Sequence, residues 1–250
     1  MLAPVYFERL ARGKIRNFDF MRKVLVLLVF VGLLSSFTER KTGGSYTYQI
    51  ARMKYKGGGN WYVSPTSLPN LINFCNKNLK MNINPQEAVV EPGNAEIFNY
   101  PVIHISGNGN IFFTPEEADN LRNYLIGGGF LEVNDSYGMD SAFKREIKKV
   151  FPELSLVELP FNHPIYHQKY DFNNGLPKIH EHDGKRPIGW GLIYNGRLVC
   201  FYNYDCDLGD GWEDSDVYND PPELHEKALE MGANILQYVM MGQIDNTKKS

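Results

Sequence analysis

The chain reads as an α/β domain with a mostly parallel central sheet and an antiparallel hairpin at one side. Three observations lead there. Strand-like and helix-like hydrophobic periods alternate from Tyr46 to Met240. The stretch Pro101 to Gly138, PVIHISGNGNIFFTPEEADNLRNYLIGGGFLEVNDSYG, spells strand, Gly-rich loop, helix, Gly turn, strand and polar loop. That is a βαβ unit, whose crossover is right-handed almost without exception. Asn195-Gly196 divides two β-rich runs, and Asn-Gly is the favoured pair for a type I′ hairpin.

The N-terminal part reads as export sequence. Met21-Arg22-Lys23 is a basic start, Val24 to Leu34 an apolar run, and Ser35-Ser36 supplies small residues for cleavage. A membrane-spanning helix needs roughly 20 apolar residues, more than this run offers. A cleaved signal peptide over 21–36 is therefore the expectation, and an uncleaved anchor is the alternative and the sole expected membrane contact. Residues 1–20 read as an N-terminal extension, either cytoplasmic or upstream of the true start, and 37–45 as a linker. An exported, periplasmic or cell-envelope location follows. No Cys follows the apolar run, which argues against a lipoprotein.

Loss of residues 1–36 moves the formal charge from −3 to −7. Phosphate backbones require clustered Lys and Arg, so nucleic acid is not an expected partner. The remaining stretch of about 210 residues suits one domain with a full core. Three cysteines make no disulfide framework. Cys75 shares a helical stripe with Leu68, Leu71 and Ile72. Cys200 and Cys206 are close enough in sequence to pair, although nothing requires it.

Tyr46 to Met53 alternates as a first strand. Lys56 to Trp61 carries three glycines but not the Walker pattern, and reads as a surface loop. Ser67, with Pro69 just inside, starts a helix to about Leu79. Glu87 to Val90 is a short strand and Ala95 to Tyr100 a helical turn. Val102, Ile103 and Ile105 suit a strand buried on both faces. Thr114-Pro115-Glu116-Glu117 is a capping box, and Gly127-Gly128-Gly129 stops the helix it begins. Phe130 to Val133 returns as strand. A helix from Ser141 to Phe151, a strand from Ser155 to Leu159 and a long His-rich loop from Pro160 to His182 follow. The hairpin Trp190 to Tyr194 and Arg197 to Tyr202 precedes a last helix, Glu223 to Met240. The domain spans 46–241, and 242–250 is a polar tail.

Several spaced motifs carry a family resemblance: the Pro101 to Val133 unit, Phe143-Lys144-Arg145-Glu146 running into Val150-Phe151-Pro152, Asn162 to His167, and Asp207 to Glu213. Together they resemble the bacterial family called domain of unknown function 4159, over roughly residues 46–241. The resemblance implies a flavodoxin-like, class I glutamine amidotransferase-like three-layer sandwich, similar also to trehalose-utilisation-like proteins. In amidotransferases a Cys occupies the turn after the strand matching Phe130 to Val133. Asn134, Asp135 and Ser136 stand there instead, which argues against glutamine hydrolysis by that route. Family members often carry Gly-His-Gly at Gly107-Asn108-Gly109.

Ligands in such sheets sit at the carboxyl ends of the strands, which directs attention to the loops after Ile105 and Val133. Ser136 lies in a near miss of the G-x-S-x-G elbow, and His163, His167 or His225 are the candidate bases. Against this, Asp135 and Ser136 suit simple loop capping. His163 and His167 have the spacing of a metal-binding helix, weakened by Pro164 and a missing Glu; Asp135 or Asp207 would complete such a site. The acidic run Asp205 to Asp216 fails the EF-hand pattern, although Asp207 to Glu213 can wall a pocket with Trp212 as a sugar platform. The expectation is a small-molecule or protein-binding module with a cleft lined by Asn108, Asn134, Asp135, Ser136, Asp207, Trp212 and Glu213. No cofactor is expected. The alternative is a hydrolase on carbohydrate-type substrates, with Asp135, Ser136, His163 and His167 as catalytic candidates and a divalent metal on His163, His167 and Asp207.

Overall fold

Seven strands form one sheet in the order β2-β1-β3-β4-β7-β6-β5. They are β1 (Ala51–Met53), β2 (Ala88–Val90), β3 (Val102–Gly107), β4 (Phe130–Asp135), β5 (Val157–Glu158), β6 (Ile188–Tyr194) and β7 (Arg197–Tyr204). The computed structural model describes residues 46–247 except residue 183, with side chains to residue 242. Residues 1–45, which carry the expected export signal and linker, fall outside the described residues. Among those described, no helix is long and apolar enough to cross a membrane.

Pairing is parallel from β2 through β1, β3 and β4 to β7, and antiparallel from β7 through β6 to β5. The hairpin turn has φ of 49° at Asn195 and 81° at Gly196, the left-handed pair that a type I′ turn demands. The first strand is shorter than its alternation suggests. Only Ala51–Met53 ladders, all three residues with β2 and Ala51 and Arg52 with β3 as well, while Tyr48 makes an isolated bridge to Ile83.

Helices cover both faces. On one lie α1 (Ser67–Asn78) and the long α5 (Pro222–Thr247), whose Leu71, Ile72, Met231 and Ile235 pack on Val102, Phe130 and Phe201. On the other lie α2 (Pro115–Ile126) and α3 (Asp140–Val150), where Leu121, Leu125, Phe143 and Ile147 meet Ile103, Ile105, Leu131 and Val133. The period-2 alternation of β3 and β4 feeds both layers, giving a three-layer α/β/α sandwich. A one-turn helix, α4 (Ser215–Tyr218), precedes α5.

The capping box forms as read: Thr114 Oγ1 accepts from the Glu117 amide, and the Glu117 carboxylate accepts from the Thr114 amide. All three cysteines are buried thiols. Cys200 belongs to the layer under α2 and α3, whereas Cys206 faces α5, so the two lie on opposite sides of the sheet.

Candidate functional site

Parallel pairing sets Ser106 opposite Asn134 and Gly107 opposite Asp135, so the loops after β3 and β4 leave the same carboxyl edge. Ser136 continues the register by donating its amide to Gly107 O at 2.9 Å. Gly107 has φ of 145°, and a Cβ there would stand 2.8 Å from Asn60 O. That close approach lets the Gly59-Asn60 loop cover β3, so the triple-glycine segment packs against the Asn108 to Asn110 turn.

The decisive juxtaposition comes from two segments far apart in sequence. After β7, Asp205 and Asp207 take left-handed φ of 55° and 53°, and the chain turns sharply. Lys178 Nζ pairs with Asp205 Oδ2 at 2.7 Å, and Ile179 N donates to Cys206 O at 2.9 Å. These two pins lay residues 178–182 alongside 205–207. Extended chain alternates its side chains, so Ile179 enters the core while Lys178, His180 and His182 face the aspartates. His180 Nδ1 lies 3.2 Å from Asp207 Oδ2, and His180 Nε2 lies 3.0 Å from Asp220 Oδ1. His182 Nε2 also bonds Asp207 Oδ2. The other oxygen, Asp207 Oδ1, is buried with no hydrogen-bond partner among the described residues.

Asp210 is buried beside this group and accepts from Ser64 Oγ at 2.7 Å and Ser136 Oγ at 3.2 Å, both on Oδ1. One ligating atom from each of His180, Asp207 and Asp210 lies within 4.8 Å of the others. An open cavity of about 460 Å³ exposes these residues, with Asn108, Ser136, Tyr218 and Asp220 in its lining. A second cavity of about 260 Å³ is lined by Asp135, Tyr137, Asp140 and Tyr204, and it shares His182 and Asp207 with the first. Tyr137 stacks on His182 with ring centroids 4.3 Å apart.

Protonation follows from these partners. The hydrogen bond to Asp207, with Asp220 on the other ring nitrogen, lifts His180 to about 9, so it is an imidazolium at neutral pH. Burial pushes Asp135 up to about 6, against the lowering effect of bonds from Met139 N and Tyr202 Oη. Burial also raises Asp210, with the Ser64 hydroxyl acting against it.

The sequence candidates divide into three groups. Asn108, Ser136 and Asp207 line the larger cavity, and Asp135 the smaller. Asn134 is wholly buried: its Oδ1 accepts Gly209 N at 2.8 Å and its Nδ2 donates to Ser136 Oγ at 3.2 Å, so it ties the β7 loop to β4. Trp212 is a core residue, 1% exposed, with Nε1 bonded to Ala228 O, and its indole offers no platform. Glu213 caps α1 by accepting from the amides of Thr66 and Ser67, at 2.9 and 3.0 Å.

His163 and His167 do not converge on Asp135. Pro164 and Gln168 lie with Pro101 and Phe130 around a cavity at the amino ends of β3 and β4. Asp135 stands at the other end of β4, five residues at about 3.4 Å each away. His163 Nδ1 caps its own turn through Ile165 N, while His167 bonds Asp171 and Phe161 O. His225 sits in the first turn of α5 and lines neither site cavity. The residues the sequence reading passed over are His180, His182 and Asp220, and Asp210 entered it only as a member of the acidic run. The signal for the two histidines was the period-2 spacing Lys178-x-His180-x-His182 matched to Asp205-x-Asp207, hidden in a loop that looked irregular.

Ser136 has no imidazole hydrogen-bonded to it among the described residues; its hydroxyl is engaged by Asp210 and Asn134. The arrangement therefore offers acceptors and metal-type donors more readily than a charge-relay nucleophile.

A three-layer α/β domain with an acidic, histidine-bearing cleft at the carboxyl edge of its parallel strands is the class this chain defines. The family model described as Domain of unknown function (DUF4159) matches residues 49–240, and the chain belongs to that family. No curated protein matches it.

Proposed function

We propose that the domain is a binding module whose carboxyl-edge cleft takes a small ligand bearing hydroxyl or ammonium donors. One observation carries the reading: Asp207, Asp210 and Asp220 converge with His180, His182 and the Ser136 hydroxyl on a single open cavity. Carboxylates accept hydrogen bonds, so such a lining favours donor-rich, neutral or cationic ligands over anions. The exposed rings of Tyr137 and Tyr218 flank the opening and supply apolar faces. The parallel order β2-β1-β3-β4 is the flavodoxin-like one, whose ligands sit at the carboxyl edge, and the absence of a Cys at the β4 turn supports binding over glutamine hydrolysis. Melting shifts and calorimetry of the full chain with neutral sugars, amino sugars, polyols and polyamines test the reading, with acidic sugars as the contrast. At least one donor-rich class should bind and lose binding in Asp207→Asn; silence across the panel refutes it.

A second reading, a hydrolase acting on carbohydrate-type substrates, draws support from Asp135, a carboxyl poised near 6 in the adjoining cavity. Turnover of aryl glycosides that disappears in Asp135→Asn would favour it, and absence of turnover would remove it. Export belongs to the same proposal, from the Met21 to Ser36 pattern. N-terminal sequencing of envelope-fraction protein should find a start near Phe37; a retained Met21 would mean an anchor.

A further inference from the structure

We infer that His180, Asp207 and Asp210 form a site for a divalent transition metal of the zinc or manganese kind, with Asp220 orienting the His180 ring. This deepens the cleft reading and rests on it. The three donors come from two segments held in register by the Lys178–Asp205 pair and the Ile179–Cys206 bond, so they are positioned by the fold. Their ligating atoms lie within 4.8 Å of one another. Ligands at 2.0–2.1 Å around a tetrahedral zinc are about 3.3 Å apart, a closure that small side-chain rotations supply.

Two observations separate this cluster from an ordinary acidic loop. Asp207 is 1% exposed and its Oδ1 has no hydrogen-bond partner among the described residues, a costly state for a buried carboxylate oxygen unless a cation is to meet it. Next, His180 presents Nδ1 to Asp207 Oδ2, where a bound metal would displace the Nδ1 proton, while Nε2 already lies 3.0 Å from Asp220 Oδ1. Metal-bound histidines nearly always donate their second ring nitrogen to such a carboxylate, which fixes the tautomer and ring plane. One imidazole with two carboxylates suits zinc and, with waters completing six positions, manganese; calcium prefers 6–8 oxygen ligands, and this set supplies too few. The cavity of about 460 Å³ beside the trio leaves the remaining coordination positions facing Ser136 and Asn108, where a donor atom of the bound ligand can reach the metal.

The test titrates the chelator-stripped full chain with Zn²⁺, Mn²⁺ and Co²⁺ by calorimetry, with Co²⁺ followed also by visible absorption. One equivalent is expected, with ligand-field bands from Co²⁺ and no competition from millimolar Ca²⁺. His180→Gln and Asp210→Asn, each checked for fold by circular dichroism, should weaken Zn²⁺ at least 100-fold. Asp220→Asn should keep the stoichiometry and cost about 10- to 100-fold, as loss of an outer-shell partner does. His180→Gln alters a partly exposed loop residue and remains decisive if Asp210→Asn fails to fold. No stoichiometric binding by folded wild type, or wild-type affinity in His180→Gln, overturns the inference. If metal fails while the organic panel still binds through Asp207, the cleft stands without a metal. If metal binds and the panel is silent, the metal site stands and the organic-ligand reading falls.

Discussion

Replacing Asp135 with Asn should stabilise the protein at neutral pH. The carboxyl is 3% exposed, and burial holds its pKa near 6 against 3.8 in an unfolded chain. A folded-state value above the unfolded one means that the stability is fully present below pH 3.8 and is lost as the pH rises through 6. The loss at pH 8 is about 3 kcal/mol at 1.36 kcal/mol per pKa unit. Asparagine keeps the geometry: its Oδ1 accepts Met139 N, and its Nδ2 donates to Tyr202 Oη, which still donates to Asp140 Oδ1 at 3.0 Å. Urea unfolding of both proteins at pH 8 and pH 4 is the assay. We expect a gain of about 3 kcal/mol at pH 8, shrinking to roughly 0.5 kcal/mol at pH 4, where the wild-type side chain is itself protonated when folded. At about 2–4 °C per kcal/mol for a domain of this size, the melting temperature at pH 8 rises by roughly 6–12 °C. A pH-independent difference, or destabilisation at pH 8, would refute the reasoning.

Three further substitutions probe how the cleft is built. Glu213→Ala removes the acceptor of two α1 amides and the Thr66 hydroxyl, and should cost about 1–3 kcal/mol by denaturant unfolding. Trp212→Ala should cost about 3–5 kcal/mol without abolishing the fold's helical signal, because it empties the contact between α1 and α5. Gly209→Ala places a Cβ 2.7 Å from Asn134 Nδ2; it should cost about 1–3 kcal/mol and weaken ligand binding at the cleft. The control Thr114→Ala loses about 1 kcal/mol from the α2 cap and should leave binding unchanged.

Local chemistry was legible in the residues themselves. The Thr114 capping box, the glycine stop with φ of 116° at Gly128, the Asn195-Gly196 turn and the alternation of β3 and β4 each depend on neighbours within a few positions. Side-chain period and turn preference are short-range properties, so the layers and the carboxyl-edge position of the site follow from them. Asn108, Asp135, Ser136 and Asp207 were singled out that way, and they line the two cavities at that edge. Trp212 and Glu213 were misread because their partners are remote. Ala228 and Gly232 on α5 leave room for the indole, and the Thr66 and Ser67 amides lie some 146 residues from Glu213. His163 and His167 drew attention through spacing alone, yet the crossover from β5 to β6 carries them to the amino edge. Only tertiary structure decided that the His180 segment lies against Asp207. That contact rests on the Lys178–Asp205 pair, the Ile179–Cys206 backbone bond and the bonds of His180 and His182 to Asp207, all between residues 25 to 27 positions apart, and no local propensity encodes a pairing between two irregular segments.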